Sequence, residues 1–419
     1  MSIYGAMFSG VSGLNANSQA LGMIADNISN VNTVGYKGNS AQFSTLVTQS
    51  PTRTTFSPGG VMSQPAPSID QQGLLQGTGS KTDVAIAGNG FFVVNEASSP
   101  GLGDEYFFTR AGAFNPDENG DLVNTAGYFL QGWPLTNGTT LPTNTSVLTS
   151  VQTVNISNLN GAARATANLG LQINLPSTAA VTDTHSATVQ IFDSLGNSHD
   201  LQIDFTKTAT NAWDITVNDP VLSSTGVVSG TVTAAVRNIT FAGDGTPATI
   251  TFPDIAITGW TTGASNSTIA VDAGTVGVGD GLTQYAGEFS LDAFDQDGIP
   301  FGRFTSVSID TEGVVTALFD NGEKQAIYKL PVAMFANPNG LEAVNGNAYR
   351  QSGTSGDLLL KDANVGGAGA VASSALEASN VDLAEEFTKM ITTQRAYSAN
   401  AKIITTADEM LDELIRIRR

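Results

Sequence analysis

Apolar residues recur at alternating steps of four and three at both ends of this chain, and that pattern constrains its fold more than anything else in it. Near the start the positions are Met7, Val11, Leu14, Ser18, Leu21, Ala25 and Ile28. Near the end they are Leu383, Phe387, Met390, Gln394, Tyr397, Ala401, Ile404, Asp408, Leu411 and Ile415, with only Gln394 and Asp408 breaking the apolar seam. A helix carries such a ladder on one face, so each end is predicted to be a long amphipathic helix. Ser379, with Asp382 three residues on, is predicted to cap the second helix, and Arg416, Arg418 and Arg419 suit the negative end of its dipole. Each stripe must be covered, either by the other helix within one molecule or by neighbouring molecules. Gly5, Gly10, Gly13 and Gly22 favour the second option, since each costs a helix up to ~1 kcal/mol relative to alanine and suits close backbone approach between molecules.

Between the helices, apolar and polar residues alternate in short runs bounded by Gly, Asn, Asp and Pro, the pattern of antiparallel strands and tight turns. The clearest hairpin spans 188–205: Val189 and Ile191 share one face, Asp193-Ser194-Leu195-Gly196-Asn197 turns the chain, and Leu201, Ile203 and Phe205 return on the same parity. Asp320-Asn321-Gly322 reads as another turn. The runs before about 145 and after about 285 are rich in phenylalanine, whereas the middle is rich in Thr, Val and Ala. The fold class is therefore mixed and mainly β: a middle antiparallel domain inserted in an outer one, with N- and C-terminal helices forming a coiled-coil-like core. The expected boundaries are 1–31 with 376–419 for the helical core, 32–70 with 356–375 for extended linkers, 71–145 with 285–355 for the outer β domain, and 146–284 for the inserted one. The first linker is marked by Pro51, Pro58, Pro65 and Pro67 and the second by Gly366-Gly367-Ala368-Gly369.

Charge narrows the function classes. With 38 Asp+Glu against 18 Lys+Arg, the net charge of −20 and the lack of a basic stripe argue against a nucleic-acid partner. No cysteine is present, which removes disulfide scaffolds, cysteine zinc sites and thiol catalysis. No run approaches the roughly 18 apolar residues of a membrane span, so no membrane insertion is expected. The first cation is Lys37, so the amino end lacks the basic region of a secretory signal, and export would need another route.

Chemistry is scarce. Asn115, Asp117, Asn119 and Gly120 match the start of a calcium loop, but Ala126 stands where a bidentate glutamate is needed, and Asp295-Gln296-Asp297-Gly298 fails similarly. Both are expected to be polar turns. His185 and His199 match no metal spacing and are expected to be satisfied loop histidines, while Gly88-Asn89-Gly90 is expected to be a hairpin turn. Trp133, Trp213 and Trp260 could stack on sugar in an extracellular carbohydrate-binding β protein, although a core or interface role suits them better. No residue is expected to be catalytic, and no cofactor or metal is implied.

The ends also carry a resemblance. Ser12-Gly13-Leu14 and the run from Asn27 to Lys37, with Asn30, Gly35 and Tyr36 inside it, resemble the amino-terminal signature of bacterial flagellar rod and hook proteins. Asn380, Asp382 and the stretch Gln394-Arg395-Ala396-Tyr397-Ser398-Ala399-Asn400 resemble that family's closing helix. Residues 83–92 and Thr109-Arg110-Ala111-Gly112-Ala113-Phe114 are similar to its shared outer β domain. Phe192-Asp193-Ser194-Leu195-Gly196-Asn197, residues 335–341 and the large middle domain are similar to the hook branch; the rod and hook-filament junction subunits are the alternative. The resemblance implies a non-enzymatic subunit, outside the cell in the flagellum, that polymerises into a short flexible curved tube and transmits torque as a universal joint. Its partners would be itself, rod proteins, the hook cap, hook-filament junction proteins and the flagellar type III export apparatus, through which it would pass without a cleaved signal. The assembly interface would then be Met7, Val11, Leu14, Leu21, Ile28, Leu383, Phe387, Met390, Tyr397, Ala401, Ile404 and Leu411.

Overall fold

A computed structural model describes residues 3–46, 59–101, 103–136, 138–157 and 161–417. Pro51, Pro58, Arg418 and Arg419 lie outside the described residues. The chain is mainly β, with helix α1 (Ile3–Ser29) at one end and helix α2 (Leu383–Ile417) at the other. The cap of α2 differs from expectation. Asp382, adjacent to the first helical residue, accepts from the Ala384 and Glu385 amides at 2.7 and 3.2 Å, while Ser379 accepts from the Val381 amide, which precedes the helix, and so does not cap it.

Two compact units divide the chain: Met1–Asn158 with Val307–Ala317 and Ala326–Arg419, and Leu159–Ser306 with Leu318–Gln325. In the first, the wholly buried strand Phe91–Asn95 pairs with Tyr106–Thr109, Phe129–Pro134 and Pro331–Met334. Its apolar run buries both faces. Phe91 and Val93 join Phe108, Phe335, Leu341 and Tyr349 on one side, and Phe92 meets Phe114 edge-on at 6.1 Å on the other. Gly88-Asn89-Gly90 is not a hairpin turn: Val84–Ala87 pairs with Ala370–Ser373 and Phe91–Asn95 with other strands, so this segment passes from one sheet to the next, with φ of +114° and +120° at the glycines.

Both expected linkers contain paired strands. Strand β1 (Asn39–Leu46) and strand β2 (Gly60–Pro67) form an antiparallel hairpin with Gln42 opposite Gln64. Pro65 and Pro67 are tolerated because a two-stranded ribbon leaves one side of each strand without a partner. Leu359–Asp362 pairs with Pro331–Met334, and the glycine run is the turn that leads to Ala370–Ser373, with Gly366 and Gly367 at positive φ.

The second unit holds two six-stranded sheets whose inward residues form one core, with Leu169, Leu171, Ile257 and Ile269 from one sheet and Ile191, Ile203, Phe205, Trp213 and Ile215 from the other. Thr184–Phe192 and Ser198–Ala209 form its main hairpin, with Val189 opposite Leu201, and Gly196 at φ +80° closes the turn. Gly322, at φ +85°, closes the second expected turn, its amide donating to the Phe319 carbonyl. This unit starts later and runs further than 146–284. Gln152–Thr153 pairs with Phe129–Pro134 of the first unit, and Ser290–Gln296, despite Phe294, pairs with Asn168–Asn174. Aromatic density misplaced the boundary because strand pairing, not composition, decides which core a strand joins.

Candidate functional site

The two terminal helices pack antiparallel. The α1 residues buried there or beneath the hairpin are Gly10, Gly13, Ala16, Ala20, Ile24 and Asn27, a row of mostly small side chains at steps of three and four. A Cβ at Gly10 would lie 3.0 Å from Ile404 Cγ1, and one at Gly13 would lie 2.7 Å from Asn400 Nδ2. These two glycines therefore serve close approach within the chain rather than between molecules, which corrects the expectation. The hairpin also leans on α1: Ser9 donates to the Gly59 carbonyl, and the Val61 amide donates to Ser12 Oγ at 3.2 Å.

The expected stripe flanks that contact. On α1, Met7, Leu14, Leu21 and Ile28 are half-buried and Val11 is 54% exposed. On α2, Met390, Ala401, Ile404 and Leu411 are half-buried, while Leu383, Phe387 and Tyr397 are exposed, as are Ile391, Ile403 and Met410 beside them. Small residues mediate the pairing that one chain can make for itself. Large apolar residues remain in water, an arrangement that costs free energy unless something else covers them.

The motif residues sort differently. Gln394 and Arg395 are exposed on α2, and Asn400 sits against Gly13. Asn27, Asn30, Gly35, Tyr36, Asn380 and Asp382 instead lie around a polar junction where the helices meet the outer β strands. Asn27 is buried; its Nδ2 donates to the Asn39 carbonyl at 2.8 Å and to Glu386 Oε2 at 3.1 Å, and its Oδ1 accepts from Tyr36 and the Asn39 amide. Asn380 Oδ1 accepts from the Gly38 amide at 2.8 Å, and its Nδ2 donates to the Ser68 carbonyl. Asn30 accepts from Thr33 and closes the end of α1. Gly35, at φ +69°, lies so close to the segment that follows strand Tyr106–Thr109 that a Cβ there would be 2.6 Å from the Ala111 amide nitrogen.

At the centre of this junction is a charge cluster that motif reading did not assemble. Glu377 receives Lys37 on Oε1 and Arg110 Nη1 on Oε2, the latter at 3.1 Å, and none of the three side chains is more than 3% exposed. Lys37 also donates to the Gln71 carbonyl, and Arg110 Nη2 to the Gly88 carbonyl at 2.8 Å, with its guanidinium over the Phe91 ring. Burial pulls the Lys37 ammonium and the Arg110 guanidinium below their ordinary proton affinities, and Glu377 opposes this in both. Burial raises the Tyr36 phenol, with Asp26 and Glu386 adding to it. The available signal was the rarity of charge: three ionic residues, each set among apolar or small neighbours, in a chain that is only 13% charged.

In the second unit, Asp193, His199 and Ser229 form a row, with His199 Nε2 3.1 Å from Asp193 and Nδ1 2.7 Å from Ser229. The order resembles a hydrolytic relay, but all three are buried, Ser229 Oγ donates to the Pro220 carbonyl at 3.1 Å, and Trp260 covers the imidazole at 4.4 Å. A nucleophile needs a path to substrate, and this hydroxyl has none. Asp117 and Asp297, from the calcium-like stretches, accept from backbone amides of their own turns or neighbours. His185 stacks on Phe289 at 5.2 Å. Trp133, Trp213 and Trp260 are buried, with their indole N–H groups bonded to Ser150, Gln284 and Ser267. None offers a face for sugar.

Comparison with known proteins agrees along the whole chain. Residues 7–37 match the family described as flagella basal body rod protein, 85–190 the flagellar hook protein FlgE/F/G D1 domain, 158–299 the flagellar basal body protein FlaE D2 domain, and 372–417 the flagellar basal body rod FlgEFG protein C-terminal family. The flagellar hook protein FlgE of Rhizobium meliloti is 35% identical over 422 residues, covering 100% of both chains. That of Caulobacter vibrioides is 33% identical, again over 100% of both, and that of Escherichia coli 32% identical over 97% of this chain and 98% of its own. The crystal structure of Helicobacter pylori flagellar hook protein FlgE2 superposes with a TM-score of 0.51 at 14% identity, over 72% of this chain and 100% of that one, a likeness of fold. With relatives of this identity matched end to end, the chain belongs to the flagellar hook protein family.

Proposed function

We propose that this chain is the structural subunit of the flagellar hook, polymerising into a short curved tube that joins rod to filament and passes torque around a bend. One observation carries the reading: α1 and α2 pair through small residues and leave Val11, Phe387, Ile391 and Ile415 more than half exposed. A second copy of the same chain offers the matching stripe. Head-to-tail contacts that do not close on themselves give an open helical filament. The interface residues are then Met7, Val11, Leu14, Leu21 and Ile28 with Leu383, Phe387, Met390, Tyr397, Ala401 and Leu411. Ile404, which packs on Gly10, would serve the intrachain pair instead. Rod proteins, the hook cap, junction proteins and the type III export apparatus are the further partners this role brings, outside the cell and without a catalytic step.

The test is Phe387→Asp with Ile391→Asp in the full chain, under conditions where the parent forms sedimentable tubes. The variant is expected to stay monomeric with both β units folded, since a carboxylate cannot be buried unpaired. Tubes in parental amount would refute the interface. Gold-labelled antibody against residues 161–284 on flagellated cells should mark the short curved segment; label confined to the rod would overturn the assignment to the hook.

A further inference from the structure

The ionic cluster has a property that its contacts alone do not state: among the described residues, every partner of Glu377 comes from the other end of the chain. Glu377 follows the outer β strands on the C-terminal side, whereas Lys37, Gln71, Gly73 and Arg110 all belong to the N-terminal side. Hydrogen bonds from backbone amides cross the same seam in both directions. Gly35 donates to the Glu377 carbonyl at 2.8 Å, Gly73 to Glu377 Oε1 at 2.8 Å, and Gly38 to Asn380 Oδ1 at 2.8 Å. In return Ala378 donates to the Leu74 carbonyl at 2.9 Å and Asn380 to the Tyr36 carbonyl at 3.4 Å.

Electrostatics makes the seam all-or-none. Lys37 and Arg110 are two buried cations whose only buried carboxylate is Glu377; among the described residues, their other acceptors are neutral carbonyls, and Asp70, which also attracts Lys37, is exposed. Without Glu377 the N-terminal side would have to bury two unpaired cations, which is strongly unfavourable. Without the cations, Glu377 would be a lone buried anion. Neither side can therefore close against the outer β strands by itself, and once both are present the contacts form together.

We propose that Glu377 is the keystone of a clasp that couples the two ends of the chain, so that the segment after α1 and the segment before α2 order and release as one unit. The clasp determines when α1 and α2 are held beside each other: only after the C-terminal strand Ala375–Glu377 has paired with Leu75–Gly77. This inference does not rest on the hook assignment, since it concerns one chain in isolation.

Native-state amide exchange on the full-length monomer, read against low urea, tests it. In the parent, the amides of Gly35, Gly38 and Gly73 on one side and of Ala378 and Asn380 on the other are expected to share one opening free energy and one urea slope. Different slopes would overturn the proposal. Glu377→Gln should speed exchange on both sides by roughly 100-fold, while Phe91–Asn95 and Thr184–Phe192 keep parental rates. Gly35→Ala, which touches no charge but collides with Ala111, should loosen Ala378 and Asn380 as well as its own side. Acceleration on one side alone, or on neither, would refute the coupling. If Glu377→Gln does not fold, the parental urea slopes and Gly35→Ala still decide the matter.

Discussion

Protonation of Asp193 should unlock the middle β unit, and the structure gives the size of the effect. The carboxylate is fully buried at the turn of the main hairpin, where it accepts from the Leu195 and Asn197 amides, the Asn197 side chain, Thr262 and His199, at 2.7 to 3.1 Å. Burial alone would raise its pKa; the hydrogen bonds from Asn197, Thr262 and His199 outweigh it and hold the group at about 2, against an ordinary 3.8. A depressed carboxylate stabilises the fold above its unfolded pKa and ceases to do so as pH falls through the folded one. At ~1.4 kcal/mol for each tenfold step in proton affinity, the contribution is about 2 kcal/mol, present in full at pH 7, declining below about pH 4 and gone below about pH 2. Urea unfolding of the full chain should be followed by tryptophan fluorescence in a Trp133→Phe background, leaving Trp213 and Trp260 as reporters within this unit. The parent should exceed Asp193→Asn by at least 2 kcal/mol at pH 7, and the difference should shrink by about 2 kcal/mol between pH 5 and pH 2. A difference that does not change with pH, or an Asp193→Asn variant as stable as the parent at pH 7, would refute the argument.

Two further outcomes follow from the terminal region. Gly13→Leu forces a branched side chain into the space held by Asn400 and should cost the helix pair ~1–3 kcal/mol, seen as faster amide exchange in α2 as well as α1; protection of α2 unchanged from the parent would disprove the close packing. Asp382→Ala removes the acceptor for two amides at the start of α2 and should weaken its first turn by about 1 kcal/mol, whereas Ser379→Ala should leave that turn unaffected in the same exchange measurement.

Some of this was legible in the chain and some was not, for definite reasons. The hairpin through Asp193 to Asn197 could be read because strand alternation and turn chemistry are local, and Val189 opposite Leu201 follows once the turn is placed. The terminal helices could be read from their ladder, but not which face they share. Periodicity weights large apolar residues, and the face α1 turns inward is built on Gly10, Gly13, Ala16 and Ala20, which carry little of that weight. Pro65 and Pro67 suggested an extended joint because proline usually opposes pairing, yet an edge position in a two-stranded ribbon spares it. The junction was least legible. Asn27, Gly35, Tyr36 and Asn380 could be singled out by resemblance, but Lys37 and Glu377 stand 340 residues apart, and no local pattern records which buried cation meets which buried anion.

The division of labour on the helices bears on how assembly proceeds. Among the described residues of α1 and α2, ten large apolar side chains are exposed: Tyr4, Phe8, Val11, Leu383, Phe387, Ile391, Tyr397, Ile403, Met410 and Ile415. Covering the remaining surface of each is worth ~1 kcal/mol, so the whole set yields roughly 10 kcal/mol, comparable with the ~4–15 kcal/mol lost when a free molecule is fixed to another. One neighbour can cover only part of the set, so a dimer in solution should be too weak to persist. In the assembly proposed above, a subunit entering the end of an existing tube would meet neighbours on several sides and cover the whole set at once. The tube assay should then show a lag, a critical concentration and abolition of the lag by added tube fragments. A stable dimer in dilute solution would mean that one face carries most of the energy and that the stripe argument is wrong.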